Sequence, residues 1–396
     1  MTPSIWPKRA IWSDPAKRMI TADAFLETAR ARGFNFYCGV PCSFLTPLIN
    51  RVISDSKLNY VGAASEGEAV AIAAGAWLAG RKSVVMCQNS GLGNMINPLT
   101  SLNWPFRIPC LVIVTWRGQP GLKDEPQHEL MGEITGAMLD VIRVPHAPFP
   151  AEENQIENAL EIADAHMAES GLPSALIMQK GAVEMAPLNQ PAPPVPPPGE
   201  LDDRTTGGVR PARAAALEAV LALAPEAAAI IATTGKTGRE LFTLNDRPQQ
   251  LYQVGSMGCA GAMGLGVALN TTRPVIVIDG DGAALMKMGA LATIGAYAPE
   301  NLVHLILDNG VHDSTGGQAT VSPVVSFAAT AQACGYRTSY LCDTLAGFND
   351  CLRAALAGPK PSLIHLRMAP GSLNPLGRPT VKPAEVARRF QDFLAS

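Results

Sequence analysis

At 396 residues the chain is too long for one ordinary hydrophobic core and long enough for two or three domains. Hydrophobic residues make up 47% of it and charged residues only 16%, against about 25% charged in an ordinary soluble domain, which points to extensive subunit contact. A formal charge of −3 provides no broad basic footprint, so composition argues against nucleic acid and anionic membrane as partners.

No apolar run approaches the eighteen or so residues of a membrane-spanning helix. Residues 1–17 lack the uninterrupted apolar stretch of a secretory leader, so a cytoplasmic protein is expected. From there, short apolar runs at 34–37, 60–63, 83–86, 111–114 and 175–178 predict strands, with helical patterns between them. After the second run, Glu66 and Glu68 open a small-residue helix over 63–75, where acids suit the positive end of the helix dipole. Eight cysteines are scattered at 38, 42, 87, 110, 259, 334, 342 and 351, several inside apolar runs, as expected of reduced core thiols. Cys38 and Cys42 have no second pair and no nearby His to complete a zinc site.

The proline-rich stretch 187–198 cannot sustain helix or sheet hydrogen bonding and predicts an extended spacer. It divides the chain into a first domain over 1–186, a linker over 187–200 and a second domain over 201–396. In the second half, runs at 229–231, 275–278, 302–307 and 363–366 repeat the strand pattern. Continuous apolar strands are covered on both faces, so the expected class is α/β, with two doubly wound parallel-sheet domains. Such folds bind ligands beyond the carboxyl ends of the strands. His304 and His365 lie inside strands and read as packing residues. Gly264-Leu265-Gly266 lacks the third glycine of a dinucleotide fingerprint. Gly235-Lys236-Thr237 resembles the end of a P-loop, but Ile230 stands where its first glycine belongs.

Gly280-Asp281-Gly282 follows the run 274–278, and Asn309 ends the run begun at Leu302. With a helix over 284–297 between strands ending at Asp279 and Asp308, the unit reads as β-α-β. Asp281 and Asn309 then sit at the carboxyl ends of neighbouring strands about 4.8 Å apart, close enough to share one hard cation such as Mg²⁺. Asp-Gly and Asn-Gly are also ordinary turn signals, so spacing alone leaves a metal site and a pair of turns both open.

The segment resembles the magnesium-diphosphate motif of thiamine-diphosphate enzymes. The resemblance implies that Asp281, Asn309 and the Val311 carbonyl hold Mg²⁺, with Gly280, Gly282 and Ala283 beside the diphosphate. It also demands an activating glutamate in the first half, and the segment 63–75 is similar to that family's, with Glu66 at the matching position. A third similar segment, Gly255-Ser256-Met257-Gly258, implies a Gly255 carbonyl facing the pyrimidine amino group and Met257 wedged between the cofactor's rings.

With no room for a middle domain, and with Gly39-Val40-Pro41-Cys42-Ser43, Gln88-Asn89-Ser90-Gly91-Leu92-Gly93-Asn94, Asp313-Ser314-Thr315-Gly316-Gly317-Gln318 and Leu376-Gly377-Arg378-Pro379-Thr380, the chain resembles the two-domain decarboxylases of this family. Those act on phosphonopyruvate or sulfopyruvate, and fusion of the two halves in one chain favours the phosphonate. The implied reaction is non-oxidative loss of CO₂ from a small 2-oxo acid, 3-phosphonopyruvate, with thiamine diphosphate and Mg²⁺, in phosphonate biosynthesis. Another two-domain 2-oxo acid decarboxylase, sulfopyruvate decarboxylase first, is the alternative. The resemblance further implies a homodimer or larger assembly, because glutamate and diphosphate halves that share a cofactor come from different subunits. His128 falls where related decarboxylases carry paired histidines and is a candidate for proton transfer. Ser43 stands where those enzymes place an aspartate, which would repel an anionic tail. Arg117, Lys123, Lys236 and Arg239 are the candidate cations for that tail.

Overall fold

The uninterrupted apolar runs do become strands buried on both faces. The structure, a computed structural model, describes residues 19–192 and 197–396. The segment 1–17 and residues 193–196 of the proline run lie outside the described residues. The chain separates into two compact units, Met1–Pro193 and Pro194–Ser396.

The first unit holds β1 Phe34–Gly39, β2 Asn59–Gly62, β3 Lys82–Gln88, β4 Leu111–Thr115, β5 His146–Pro148 and β6 Ser174–Met178. They form one parallel sheet in the order β2-β1-β3-β4-β6-β5. Helix Ala22–Ala31 has its N-cap in Thr21, whose side chain accepts from the Ala24 amide, and it buries Phe25, Leu26 and Ala29 in the core on one face of the sheet. Helix Glu66–Leu78 is apolar nearly all round and, apart from Trp77, buried after its first residue, which fits a helix of alanines and glycines packed closely over β1 and β3.

The second unit holds β7 Glu200–Arg204, β8 Ala229–Ala232, β9 Gln250–Tyr252, β10 Val275–Gly280, β11 Leu302–Asp308, the hairpin pair β12 Val311–His312 and β13 Gln318–Ala319, β14 Thr338–Cys342 and β15 Ser362–Arg367. Its parallel sheet runs β7-β14-β15-β11-β10-β8-β9, and β12 and β13 pair apart from it. Both main sheets are parallel throughout, as the continuous apolar runs require.

Three expectations need correction. Strand β7 begins at Glu200, inside the stretch read as linker. It is an edge strand of sequence Glu-Leu-Asp-Asp-Arg, whose charges hide it from an apolar pattern. The helix expected over 284–297 is two, Asp281–Met286 and Gly289–Tyr297, because Lys287 leaves the helical conformation at φ −139°, ψ 44°. β10 ends at Gly280 rather than Asp279. Among the described residues no helix is long and apolar enough to cross a membrane.

Candidate active site

In the second unit the parallel register sets Gly280 of β10 beside Leu307 of β11, so the turns carrying Asp281 and Asn309 emerge side by side at the carboxyl edge. Asp281 opens the short helix Asp281–Met286, and Asn309 follows directly after β11. Both line one cavity of about 150 Å³ with Gly280, Gly282, Ala283, Val311, Met257, Lys236 and His312. Burial pushes the Asp281 carboxyl above its ordinary value, against a hydrogen bond that Thr320 Oγ1 donates to Oδ2 at 2.6 Å. Asn309 donates from Nδ2 to Asp313 Oδ2 at 2.6 Å, which fixes the amide, and its Oδ1 accepts from the Val311 amide at 3.2 Å.

A carboxylate, an amide oxygen and a backbone carbonyl are an all-oxygen set suited to Mg²⁺, which fills its remaining positions with phosphate and water. Gly282 supplies the cradle. A Cβ there would lie 2.7 Å from His312 Cε1 and 3.0 Å from Met257 Cε, so only glycine keeps this floor open. The residues present thus fit a magnesium diphosphate.

Behind the cavity, Gly255, Ser256 and Gly258 all have positive φ, at 62°, 42° and 92°. Ser256 is buried in that strained conformation, and its carbonyl accepts from Gln253 Nε2 at 2.7 Å. The turn brings Met257 to the cavity, whereas Gly255 is not among the residues lining it. Arg213 is buried and donates to Glu240 at 3.0 Å, to Asp313 at 2.5 Å and to the Gly371 carbonyl at 3.1 Å, so it braces the loop that orients Asn309. Lys236 lines the cavity and reaches Ser372 at 3.2 Å. Arg239 lies instead in a neighbouring cavity of about 360 Å³, donating to the carbonyls of Gly377 and Leu376.

In the first unit, Ser65 caps the helix Glu66–Leu78 by accepting from the Glu68 amide at 3.3 Å. That sets the half-buried Glu66 in the first turn, where its Oε2 accepts from Asn94 Nδ2 at 2.8 Å. Glu66 lies directly on Gly91: a Cβ at 91 would fall 2.5 Å from its Cγ, Cδ and Oε1. Neither Gly91 nor Asn94 was singled out from sequence, although both sit in the segment 88–94 that carries the family likeness.

Ser43 and Arg117 are brought together, Arg117 Nη1 donating to Ser43 Oγ at 3.3 Å. Arg117 is also forked onto Asp124, from Nε at 2.7 Å and Nη2 at 2.5 Å, and its carbonyl accepts from Asn89 at 2.8 Å. Hydrogen bonding from Arg117 holds the Asp124 carboxyl well below its ordinary range, helped by the amides of Gly118 and Glu125. Lys123 is exposed and makes no ion pair among the described residues. His128 is buried at the start of helix Glu129–Val141, and its Nδ1 has no hydrogen-bond partner among the described residues. His304 and His365 are buried too, beside Asp279 at 3.3 Å and Asp308 at 2.9 Å.

Residues 19–139 match the model of the thiamine pyrophosphate enzyme, N-terminal TPP binding domain, and residues 233–366 match that of the C-terminal TPP binding domain. The phosphonopyruvate decarboxylase of Streptomyces viridochromogenes is 52% identical over 96% of each chain. The chain belongs to the thiamine pyrophosphate enzyme family. Within that family it is also 32% identical to the sulfopyruvate decarboxylase of Methanosarcina acetivorans, over 93% of this chain and 96% of that one. A sulfopyruvate relative is therefore also a single fused chain, and fusion alone does not separate the two substrates. The 4-hydroxybenzoylformate decarboxylase of Rhodococcus jostii shares the fold, with a TM-score of 0.62 over 89% of this chain and all of that one at 17% identity.

Proposed function

We propose that the chain is a cytoplasmic decarboxylase of 3-phosphonopyruvate, working with thiamine diphosphate and Mg²⁺ in phosphonate biosynthesis. The carrying observation is the 52% identity to a phosphonopyruvate decarboxylase over 96% of both chains, against 32% to a sulfopyruvate decarboxylase. The reaction breaks the bond between the carboxylate and the keto carbon, releases CO₂, and returns one proton to that carbon to give phosphonoacetaldehyde.

Asp281, Asn309 and the Val311 carbonyl hold the cation, and Gly280, Gly282 and Ala283 leave room for the diphosphate. Met257 faces the rings, and Gly255, in the same turn but off the cavity wall, is the candidate carbonyl acceptor for the pyrimidine amino group. When bound, thiamine diphosphate supplies a carbon nucleophile and an electron sink for the charge left by CO₂. Glu66 is the acid that hydrogen-bonds the pyrimidine, and a partly water-excluded site strengthens that bond. Ser43 and Arg117 receive the anionic tail. Asp124 occupies Nε and one Nη2 hydrogen of Arg117 and Ser43 accepts one Nη1 hydrogen, so a second N–H on each Nη is left to meet phosphonate oxygens. His128 is the candidate for returning the proton. Lys236 faces the diphosphate side, while Lys123 and Arg239 fit the tail less well, one being exposed and the other committed to loop carbonyls.

The assembly is at least a homodimer in which the glutamate unit of one copy serves the diphosphate unit of another. Mixed assembly of E66Q and D281A chains, each inactive alone, then restores about a quarter of wild-type activity, since half the dimers are mixed and each has one intact site of two. No recovery rules out sharing between copies. The substrate is tested by incubating the enzyme with phosphonopyruvate, sulfopyruvate and pyruvate separately and measuring aldehyde and CO₂. Turnover of phosphonopyruvate well above the others is expected. Turnover confined to sulfopyruvate transfers the assignment to that acid.

A further inference from the structure

Two buried hydroxyls tie both metal-ligand turns into one hydrogen-bonded chain. Thr320 Oγ1 donates to Asp281 Oδ2 at 2.6 Å, and Ser322 Oγ donates to Asp308 Oδ1 at 2.7 Å. The two hydroxyl oxygens are 3.0 Å apart. Asp308 is the residue before Asn309, and its carboxylate is held from three sides. Its Oδ1 also accepts from the Gly310 amide at 3.0 Å, and its Oδ2 lies 2.9 Å from His365 Nε2. The main chain doubles the link, since the Thr320 amide donates to the Gly310 carbonyl at 2.9 Å. Asp281, Asp308, Thr320, Ser322 and His365 are all buried, none more than 9% exposed.

The proton inventory gives this chain a direction. Each hydroxyl has one hydrogen, and each has a carboxylate oxygen within 2.7 Å to receive it. Both carboxylates are therefore acceptors, and neither can rotate without leaving a buried donor unpaired. Thr320 occupies one oxygen of Asp281 and leaves the other to be offered to a cation. Through Asp308, Ser322 does the same for the backbone that carries Asn309. The segment 320–322 is thus a staple across two turns that leave the sheet on different strands.

We propose that Thr320 is a positioning residue for the Mg²⁺ ligand Asp281, and that Ser322, acting through Asp308, positions the Asn309 turn. The role rests on the Mg²⁺ assignment made above. Partners of ligating carboxylates elsewhere are worth about 10- to 100-fold in metal affinity.

The test is Mn²⁺ binding in the presence of thiamine diphosphate, followed by electron paramagnetic resonance on wild type, T320V, T320A and T320S. T320V is expected to raise the Mn²⁺ Kd about 10- to 100-fold, with T320S within about threefold of wild type. T320A removes the hydroxyl without adding a methyl group, and its Kd shifts in the same direction should the valine variant not fold. At saturating Mg²⁺ the kcat of the variants recovers toward wild type while half-saturation by Mg²⁺ does not. General damage to the fold would lower kcat at every metal concentration. Wild-type Kd in either T320V or T320A overturns the proposal. Failure of the wild type itself to bind Mn²⁺, or unchanged binding in D281A, overturns the metal assignment instead.

Discussion

The turns that carry Asp281 and Glu66, one in each unit, are built on the same plan and held to different standards. Asp281 and Glu66 both open helices just after parallel strands, at the edge where such sheets bind ligands. Asp281 is buried and belongs to a chain of side chains that runs through Thr320, Ser322 and Asp308 to His365. Glu66 is half-buried and, among the described residues, has one side-chain hydrogen-bond partner in Asn94, with bare glycine beneath it. A cation holder gains from fixed geometry, because Mg²⁺ accepts little departure from octahedral placement. An acid that must give and take a proton gains from a site where its partner can change.

The contrast can be broken by substitution, starting where the effect is greatest. Glu66→Gln keeps the size and the contact with Asn94 but removes the ionisable group. Its kcat falls about 10²- to 10⁴-fold while thiamine diphosphate binding, followed by calorimetry, stays near wild type. Asp281→Ala reverses that pattern. The Mg²⁺-dependent affinity for thiamine diphosphate drops more than about 100-fold, and activity falls with it because the cofactor leaves. If the two variants shifted the same quantity, the division between holder and proton-handling acid would be wrong. Next in size is Gly91→Ala. The new methyl would sit 2.5 Å from three Glu66 atoms, so the glutamate must move by roughly an ångström, which costs up to about 100-fold in kcat with cofactor binding preserved. An unchanged kcat in this variant would mean that Glu66 is not placed by Gly91.

Much of this was legible before any coordinates. That the turns of Asp281 and Asn309 emerge side by side could be read from strand and helix lengths in a parallel sheet, whereas Val311 and the cation role of all three came only from the resemblance. Thr320 and Ser322 were not legible, since they approach from a hairpin, Val311–His312 with Gln318–Ala319, whose pairing no hydrophobic period announces. Strands β5 and β9 are three residues long, too short to carry a pattern, and β14 reads Thr-Ser-Tyr-Leu-Cys although every residue of it is buried. Arg117 was recognisable as a candidate cation for an anionic tail. That its charge is forked onto Asp124, seven residues later, depends on a loop conformation that composition does not determine.

In the first unit Arg117 is tied as firmly as the turns of Asp281 and Asn309, and it gives the smallest effect. Asp124 accepts two bonds from Arg117 and one each from the amides of Gly118 and Glu125, which closes the loop 117–125 on itself. Its carboxyl is held below the unfolded value, near about 3.9, so the stabilisation is complete above that pH and disappears as pH falls through the folded value. Asp124→Asn removes the charge while keeping one acceptor and costs on the order of 1 kcal/mol at neutral pH. The difference in melting temperature between wild type and D124N should hold constant from pH 7 to about 5 and narrow progressively below about 4, where Asp124 of the unfolded chain begins to protonate while the folded carboxylate stays charged. A gap that stays constant down to about pH 2 would place the stabilisation in packing rather than in the ion pair. Arg117 would then be held by Phe44, whose ring lies 4.9 Å from the guanidinium, and by Asn89, which receives no help from the acid.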